Sequence, residues 1–445
     1  MWCRSLIAAA ISSLCLLFPL HADDASALRG EWGTVSGMLR FFYVFDGSYV
    51  KSGRTTDYDI DGSAIGGHFK YTSPQRYHIG ASAALYFAAD TGLNDFNDPD
   101  TIGAAGRFFT RDYATKGVCG ELNLFYENGG HRLLLGRQKI DSPLTNAIYT
   151  YMPDMFEALL YQNTQISNTE VIVLQIDKMA YGTRAPVEFG LIGETTRTAG
   201  TTQNALDIRG KFRSIESQTL ADETVSTHGV SGIGFINRSL AQTTLRVWDF
   251  YAYDIINMLY ADAQYRQQPY IFSLQYLEVR SVGDDLASAW LDDGRAYLYG
   301  VKVGFKEGRI SAYASYNHSG SAKLINPWGG DPAYTSSFFS RNAYRADVDA
   351  YKLGVNVMLK EGLHLIASYA DYGRSDTEGT FSPATPVEPA ALPSGDAMES
   401  ALLLSYNPVK SVNILTGAIY KKSEYSYAGK QVRLLDLDFV ATYRF

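Results

Sequence analysis

The segment LLDLDFVATYRF, residues 434–445, alternates apolar and polar residues with a period of two. Because successive side chains of a β-strand point to opposite faces, one face of this strand is apolar and the other is polar. The apolar face carries Leu435, Leu437, Phe439, Ala441, Tyr443 and Phe445, and the polar face carries Asp436, Asp438, Val440, Thr442 and Arg444. The pattern favours a strand that has lipid on one side and water on the other.

The N-terminal residues have the pattern of a secretory signal peptide. Arg4 is followed by a largely apolar run over residues 6–20, which is shorter than the roughly 18 residues that a spanning helix needs. We therefore expect cleavage after Ala22, a periplasmic segment over residues 23–33 and a single barrel domain over residues 34–445.

The composition of the remaining chain favours a barrel in the outer membrane of a Gram-negative bacterium. Aromatic residues make up 13% of the chain, with 32 Tyr and 22 Phe, and no stretch after the signal approaches the length of a transmembrane helix. A secreted soluble β-protein is the alternative. The formal net charge of −8 argues against nucleic acid as a partner. Cys119 is the one cysteine after the signal, so no intramolecular disulfide is expected.

Alternating segments predict eighteen strands between Thr34 and Phe445, in an all-β, antiparallel, up-and-down transmembrane barrel. Tight turns and long loops follow each other along the chain, which indicates a periplasmic and an extracellular end. The tight turns are predicted at residues 73–75, 129–130, 163–167, 239–241, 267–269, 307–308, 361–362 and 407–409. The long loops are predicted at 47–57, 91–115, 140–155, 181–227, 282–294, 319–346, 373–396 and 422–433, with a short exception at 254–256.

Charged residues within alternating strands indicate which face lines the water-filled lumen, because Arg or Lys at mid-depth in lipid costs about 2–4 kcal/mol. The predicted pore-lining bases are Arg40, Lys70, Arg137, Lys139, Arg246, Arg266, Lys302, Lys352 and Arg444. The acids predicted beside them are Glu121, Glu127, Glu157, Asp262, Glu399, Asp436 and Asp438. A single charge of this kind needs no other role than to keep the channel wall polar and solvated. A row of cations, in contrast, would supply successive binding sites for a carboxylate along the pore.

The third long loop combines motifs that resemble a known family. Gly136-Arg137-Gln138 closes a strand, Pro143-Leu144 lies in the loop, and Pro153 precedes Phe156-Glu157. This arrangement resembles the OprD-like family of substrate-specific outer-membrane porins. The resemblance implies an eighteen-stranded channel, a third loop folded into the lumen, a ladder of basic wall residues that includes Arg137, and small carboxylate-bearing solutes.

The constriction that the resemblance implies spans the third loop. Its candidate residues are Asp141, Ser142, Pro143, Asn146, Tyr149, Tyr151, Asp154 and Glu157. The acids among them leave the sign of the favoured solute open. The scheme works equally in a monomer and in a homotrimer. The terminal Phe445, with apolar residues at alternate positions before it, resembles the C-terminal signature that the barrel assembly machinery recognises in its substrates.

Three further hypotheses arise from the sequence: a calcium site, an enzyme and an adhesin. Asp57, Asp59 and Asp61 form a D-x-D-x-D-G sequence, but position 12 is His68 rather than the bidentate Glu of a calcium loop. A rim calcium ion, or a cation bridging lipopolysaccharide, stays open, and no other cofactor is expected. Lipase and zinc-protease motifs are absent after the signal, which argues against an enzyme. An adhesin or structural barrel with long binding loops is the alternative to a channel.

Overall fold

The protein is described by a computed structural model that covers most of the predicted barrel. The described residues are 28–52, 54–98, 108, 114–146, 149–183, 209–214, 216–218, 224–226, 228–283, 291, 294–322, 324, 326–338, 346–374, 396–425 and 430–445. The predicted signal peptide, residues 1–22, and most of the predicted loop 181–227 lie outside these residues. Among the residues described, no helix is long and apolar enough to cross a membrane.

Eighteen long antiparallel strands account for most of the described chain, which confirms the predicted fold class. Their bounds are β1 Gly33–Ser52, β2 Arg54–Thr72, β3 Ile79–Asp90, β4 Lys116–Asn128, β5 His131–Gln138, β6 Met155–Asn163, β7 Thr169–Ala180, β8 Val230–Asn237, β9 Thr243–Ala252, β10 Ile256–Gln267, β11 Tyr270–Ser281, β12 Arg295–Glu307, β13 Ile310–Ser319, β14 Val348–Lys360, β15 Leu363–Tyr372, β16 Ala397–Val409, β17 Val412–Tyr425 and β18 Lys430–Arg444.

The sheet closes on itself, because β1 pairs with β2 on one side and with β18 on the other. The seam runs from Met38 opposite Arg444 to Lys51 opposite Gln431, and the Gly37 amide donates to the carbonyl of Phe445 over 2.8 Å. A short strand, Leu28–Gly30, pairs with the first residues of β1, where Leu28 lies opposite Val35. Closure leaves no open sheet edge along the seam, which is the condition for a sheet in lipid.

The connections between strands follow the predicted alternation, with three corrections. Seven of the eight predicted tight turns separate consecutive strands, whereas residues 407–409 are the last residues of β16 and the turn follows at 410–411. The short exception at 254–256 joins β9 to β10. The predicted long loop at 47–57 is wrong, because β1 and β2 continue as a hairpin until Ser52 pairs with Arg54. The predicted long loop at 422–433 is wrong for the same reason, because β17 and β18 stay paired from Lys422 opposite Arg433 to Tyr425 opposite Lys430. Tyr49 and Val50 on β1 and Thr56 on β2 belong to the aromatic and β-branched types that favour strands.

The outer surface of the barrel is apolar and bordered by aromatic side chains. Leu124, Leu135, Leu274 and Leu353 on four different strands are 56–60% exposed, as expected for side chains that meet lipid rather than a protein core. Exposed aromatics near the tight turns are Tyr71, Tyr126, Tyr265, Tyr270 and Phe272, and those near the long connections are Tyr251, Tyr299, Tyr351, Tyr369 and Tyr420. The two aromatic bands mark the boundaries of a transmembrane barrel.

Candidate channel interior

The inner face is identified by side chains that contact chain segments lying inside the barrel. Arg40, on the opposite face of β1 from Phe41, donates through Nη1 to the carbonyl oxygen of Thr150, which lies in the loop between β5 and β6. Its Nε donates to Oγ1 of Thr442 across the seam over 3.1 Å. Strand alternation then assigns the inner face of every neighbouring strand in turn.

The first inner segment, residues 139–146 and 149–154, lies across the interior of the barrel. Tyr151 is fully buried and donates its hydroxyl to the carbonyl of Ala64 on β2 over 2.8 Å. Burial raises the pKa of this phenol well above its usual value, and nearby Arg40 opposes the shift only in part, so the neutral hydroxyl is the donor. The segment therefore leaves the wall at β5, reaches the wall near β1 and β2, and returns to β6.

The predicted constriction residues lie in this segment, apart from Glu157. Exposed Asp141 accepts a hydrogen bond from Asn146 Nδ2 at 2.5 Å, and buried Ser142 shares a 2.9 Å contact with Thr145 Oγ1. Buried Asp154 accepts the amide hydrogen of Gly182 at 2.7 Å. The carbonyl of Tyr149 lies 3.4 Å from Nη1 of Arg40. Polar side chains thus fix the turn and both ends of the segment.

Residues 326–338, the second inner segment, also fold into the barrel, which the sequence reading did not anticipate. Thr335 donates through its amide to Oδ1 of Asn317 on β13 over 2.9 Å, and Phe338 donates through its amide to Oε1 of Glu399 on β16 over 2.7 Å. The carbonyl of Ser336 accepts a hydrogen bond from Lys352 on β14 over 2.6 Å. The partners are inner-face residues of three strands, so this part of the predicted loop 319–346 lies against the wall inside the barrel.

The two inner segments contact each other directly. The Gly330 amide and Nδ2 of Asn326 both donate to the carbonyl of Leu144, over 3.0 and 2.9 Å. Leu144 and Trp328 are completely buried in one hydrophobic cluster with Phe250 of the wall. The apolar contact and the hydrogen bonds together hold two segments across a lumen that eighteen strands would otherwise leave wide.

Four charged residues form a row across the inner face from β12 to β17. Lys302 and Lys352 both pair with Ser315, and Ala370 pairs with Lys352 and with Glu399. Glu399 in turn pairs with Lys421. We call Lys302, Lys352, Glu399 and Lys421 the charge row. Because barrel strands tilt by about 40° and lie about 4.8 Å apart, such a row climbs the wall by roughly 3 Å per strand.

The bases of the charge row on β12 and β14 have neutral hydrogen-bond or ring partners among the described residues. Nζ of Lys302 lies 4.1 Å from the ring centre of Tyr313 and 5.9 Å from that of Tyr334. Lys352 donates to the carbonyl of Ser336. Arg40 is held in the same manner by a hydroxyl and by carbonyl oxygens. Neutral partners orient a cation without cancelling its charge.

Two other predicted bases of the wall are paired with acids. Lys70 Nζ lies 2.6 Å from Oε2 of Glu121, whose other oxygen accepts the hydroxyl of Tyr86 at 2.8 Å. Arg246 makes a bidentate contact with Asp262, with both N–O distances at 2.7 Å. These pairs keep the wall polar but contribute little net charge to the lumen.

A vestibule of about 670 Å³ opens towards the tight turns. Its charged lining consists of the bases Lys70, Arg132, Lys139 and Arg238 and the acids Glu121, Glu127, Asp141 and Glu170. Because bases and acids are equal in number, this part of the lumen should favour neither cations nor anions strongly. Predicted Lys139 lies here, and Arg266 and Arg444 occupy inner-face positions near the same end of the barrel.

Arg137 and Glu157 lie on the outer face, contrary to the prediction. Arg137 pairs with Leu122 and Glu157, on the face that carries exposed Leu135 and Leu159. Nε of Arg137 lies 3.4 Å from Oε2 of Glu157, and Nζ of Lys178 lies 2.9 Å from its Oε1. The charges are tolerated on this face because they pair with one another near the extracellular end of β5. Towards the tight turn, the outer face of β5 is covered by apolar Leu133 and Leu135. Glu157 is therefore a strand residue and not part of the constriction.

The remaining predicted residues fall into three groups. Glu127 pairs with Arg132 at 2.8 Å, and Asp436 and Asp438 share the inner face of β18 with Thr442. Asp57, Asp59 and Asp61 occupy alternate positions of β2, a strand rather than a loop, and the side chains of Asp57 and Asp59 lie outside the described part. No group of three potential metal ligands occurs among the side chains that the structure describes.

Sequence reasoning missed inner-face bases as well as the second inner segment. Arg132 alternates with Leu133 and Leu135, which was a usable signal for the inner face. Lys421 is followed by Lys422, so parity alone did not say which lysine faces inwards. For the second inner segment, Trp328-Gly329-Gly330-Asp331-Pro332 is more apolar and Gly-rich than a solvated loop requires, and it was the available signal.

Solved structures with the same architecture come from Pseudomonas aeruginosa. OccK9 (OpdG) superposes with a TM-score of 0.68 at 14% identity, and OpdK with vanillate superposes with a TM-score of 0.66 at 13% identity; each match covers 92% of this chain and 98% of the other. The protein has the OpdK fold. OpdL gives a TM-score of 0.63 at 12% identity over the same share of this chain. No protein-family model and no curated protein matches the sequence.

The OpdK fold is the fold that the OprD-like resemblance implied, so that expectation is confirmed. The match extends over the whole closed barrel rather than over one hairpin, since it covers 98% of the OpdK chain. At these identities the similarity concerns the arrangement of strands alone.

Proposed function

We propose that this protein is an outer-membrane porin through which small hydrophilic solutes diffuse passively, and that it favours solutes with a carboxylate. The single observation that carries the proposal is the pair of inner segments, residues 139–146 with 149–154 and residues 326–338, which meet inside a closed barrel with an otherwise polar wall. A barrel that served only as a membrane anchor would not need a narrowed, charged interior. The outer-membrane location, assembly by the barrel assembly machinery and a homotrimeric state remain predictions.

Transport by diffusion follows from the shape and polarity of the interior. Eighteen strands enclose a lumen that is wide enough for water, and the inner segments reduce its width. Fixed charges on the wall exchange with the hydration shell of a solute, so no covalent step or cofactor is involved in the proposal. Selectivity then depends on the width beside the inner segments and on the charges that face it.

A carboxylate preference is supported by the cations beside the inner segments. Lys302 and Lys352 on the wall and Arg40 across the barrel are held by neutral partners, so each can attract a passing anion. Glu399 in the charge row would repel a second negative charge, which favours a single carboxylate. OpdK, which has the same fold, was crystallised with vanillate, a molecule that carries one carboxylate.

Liposome swelling with three solutes of similar size tests this proposal. We expect proteoliposomes to admit benzoate faster than benzamide, and benzamide faster than benzylammonium, because these solutes of similar size differ mainly in their charge. A gain of about threefold for benzoate over benzamide corresponds to roughly 0.6 kcal/mol. Protein-free liposomes give the background. Equal rates for all three would contradict the carboxylate preference but not the channel, whereas rates at background would contradict the channel itself.

A further inference from the structure

Two arginines stand directly opposite each other on the outer face of the barrel. Arg280 near the end of β11 pairs with Arg295 at the start of β12, on the face that carries exposed Leu274 and Tyr299. Their side chains are 58% and 51% exposed. Like charges directly opposite on adjacent strands destabilise the pair unless an anion lies between them.

Glu278 lies between the two arginines and holds both guanidinium groups in place. Only 5% of its side chain is exposed; its Oε1 accepts from Nε of Arg280 and from Nε of Arg295, the latter at 2.6 Å. Tyr276 donates its hydroxyl to Oε2 of Glu278 at 2.8 Å and accepts from Nη2 of Arg295 at 3.1 Å. One acid neutralises one of two bases, so the cluster keeps a net positive charge and further guanidinium N–H donors.

The cluster lies at the level of lipid headgroups. Tyr276 pairs with Tyr299 in the aromatic band near the long connections, and Arg280 is four residues further along β11. Four residues of a strand tilted by about 40° rise about 10 Å along the membrane normal, so Arg280 and Arg295 lie beyond the apolar belt. At this end of an outer-membrane barrel, the adjoining lipid is a phosphorylated glycolipid rather than a phospholipid, provided that the proposed outer-membrane location is correct.

We propose that Arg280 and Arg295 form a binding site for a phosphate group of lipid A in the outer leaflet. The planar guanidinium fork matches the geometry of a phosphate and binds it with charge-assisted hydrogen bonds. Glu278 occupies Nε of both arginines and Tyr276 accepts from Nη2 of Arg295, which leaves further Nη donors on both groups for one shared phosphate. The bound lipid would supply the second anion that the paired arginines need, and it would fix the height of β11 and β12 in the membrane.

Native mass spectrometry of the detergent-solubilised protein with added lipid A tests this site. We expect the wild type to retain lipid A and the double variant Arg280→Gln, Arg295→Gln to bind it roughly tenfold more weakly, because the variant loses two charged donors. Arg309→Gln is the matched control, since Arg309 is an exposed arginine in the tight turn between β12 and β13. Unchanged single-channel conductance of all variants would show that the barrel and the proposed channel are intact.

Three further arms distinguish the possible sources of the phosphate. Dephosphorylated lipid A should bind equally weakly to the wild type and the double variant, and inorganic phosphate should compete poorly at millimolar concentration. Phosphatidylglycerol should bind the wild type less well than lipid A does. Equal retention of lipid A by wild type and double variant would overturn the proposal, as would equal binding of dephosphorylated lipid A or phosphatidylglycerol by the wild type.

Discussion

The double variant Lys302→Gln, Lys352→Gln is expected to shift the ion preference of the open channel towards cations. Both lysines face the lumen beside the second inner segment, and their hydrogen-bond and ring partners are aromatic rings and a carbonyl. Lys352 also interacts electrostatically with Glu399 and Asp331, whereas Lys302 has no acidic partner of this kind among the described residues. Removing both leaves Glu399 and Lys421 as the charges of the row. Glutamine keeps most of the side-chain length and a donor for Ser336, so the inner segment should stay in place.

The size of this effect follows from Coulomb's law. An ion that passes a lysine at roughly 7 Å in water-like surroundings gains or loses about 0.6 kcal/mol, close to a threefold change in its local concentration. Because cations and anions respond in opposite directions, each lysine changes the cation-to-anion permeability ratio by up to about sevenfold at low salt, and two lysines by up to about fiftyfold. Screening shortens the reach to about 8 Å at physiological ionic strength, so the shift should shrink as salt is raised. Reversal potentials in a salt gradient measure the ratio.

Arg137→Gln is the matched control for this experiment. It removes one positive charge of the same kind from the same barrel, but Arg137 lies on the outer face beside Leu135 and is paired with Glu157. Its reversal potential should equal that of the wild type. A shift in Arg137→Gln as large as that in the double lysine variant would show that the assignment of inner and outer faces is wrong on β5.

Gly330→Val is expected to separate the two inner segments and to increase the single-channel conductance. A β-carbon at this position would lie 2.3–2.5 Å from the backbone of Leu144 and the carbonyl of Pro143. Overpacking of this kind costs about 1–3 kcal/mol, which equals or exceeds the roughly 1 kcal/mol that each hydrogen bond between the segments contributes. The contact should therefore open, and the lumen beside it should widen.

Gly117→Val provides the control for that variant. Gly117 is a strand glycine with open space around its β-carbon position, so valine should fit without moving its neighbours. Its conductance should match that of the wild type. If Gly330→Val folds as a barrel, as judged by circular dichroism and heat-modifiable migration, and conducts no more than Gly117→Val, the inner segments do not limit the current.

The barrel could be predicted from the sequence because its determinants are local. Alternation with a period of two defines each strand, and turn residues such as Gly129-Gly130 define the tight ends, so the strand number and the order of connections followed without tertiary information. The hairpins of β1 with β2 and of β17 with β18 were the exceptions: long loops were predicted at 47–57 and 422–433, whereas regular pairing extends the strands through most of both ranges.

The interior could be predicted only in part, because it depends on contacts between distant residues. The first inner segment was recognised through Pro143-Leu144 and its neighbours, but its anchor at Ala64 is 87 residues away. The second inner segment depends on Leu144, which lies 182 residues from Asn326. Arg137 was assigned to the lumen because a charge in a strand favours water, yet the salt bridge to Glu157 satisfies it on the outer face.

Single-channel recording of the purified wild type in a planar lipid bilayer tests the central claim most directly. If the two inner segments narrow but do not seal a water-filled lumen, the protein should insert in discrete conductance steps that are stable at low voltage and scale with salt concentration. A protein that inserts as a folded barrel, as shown by heat-modifiable migration, and yet passes no current would contradict the channel.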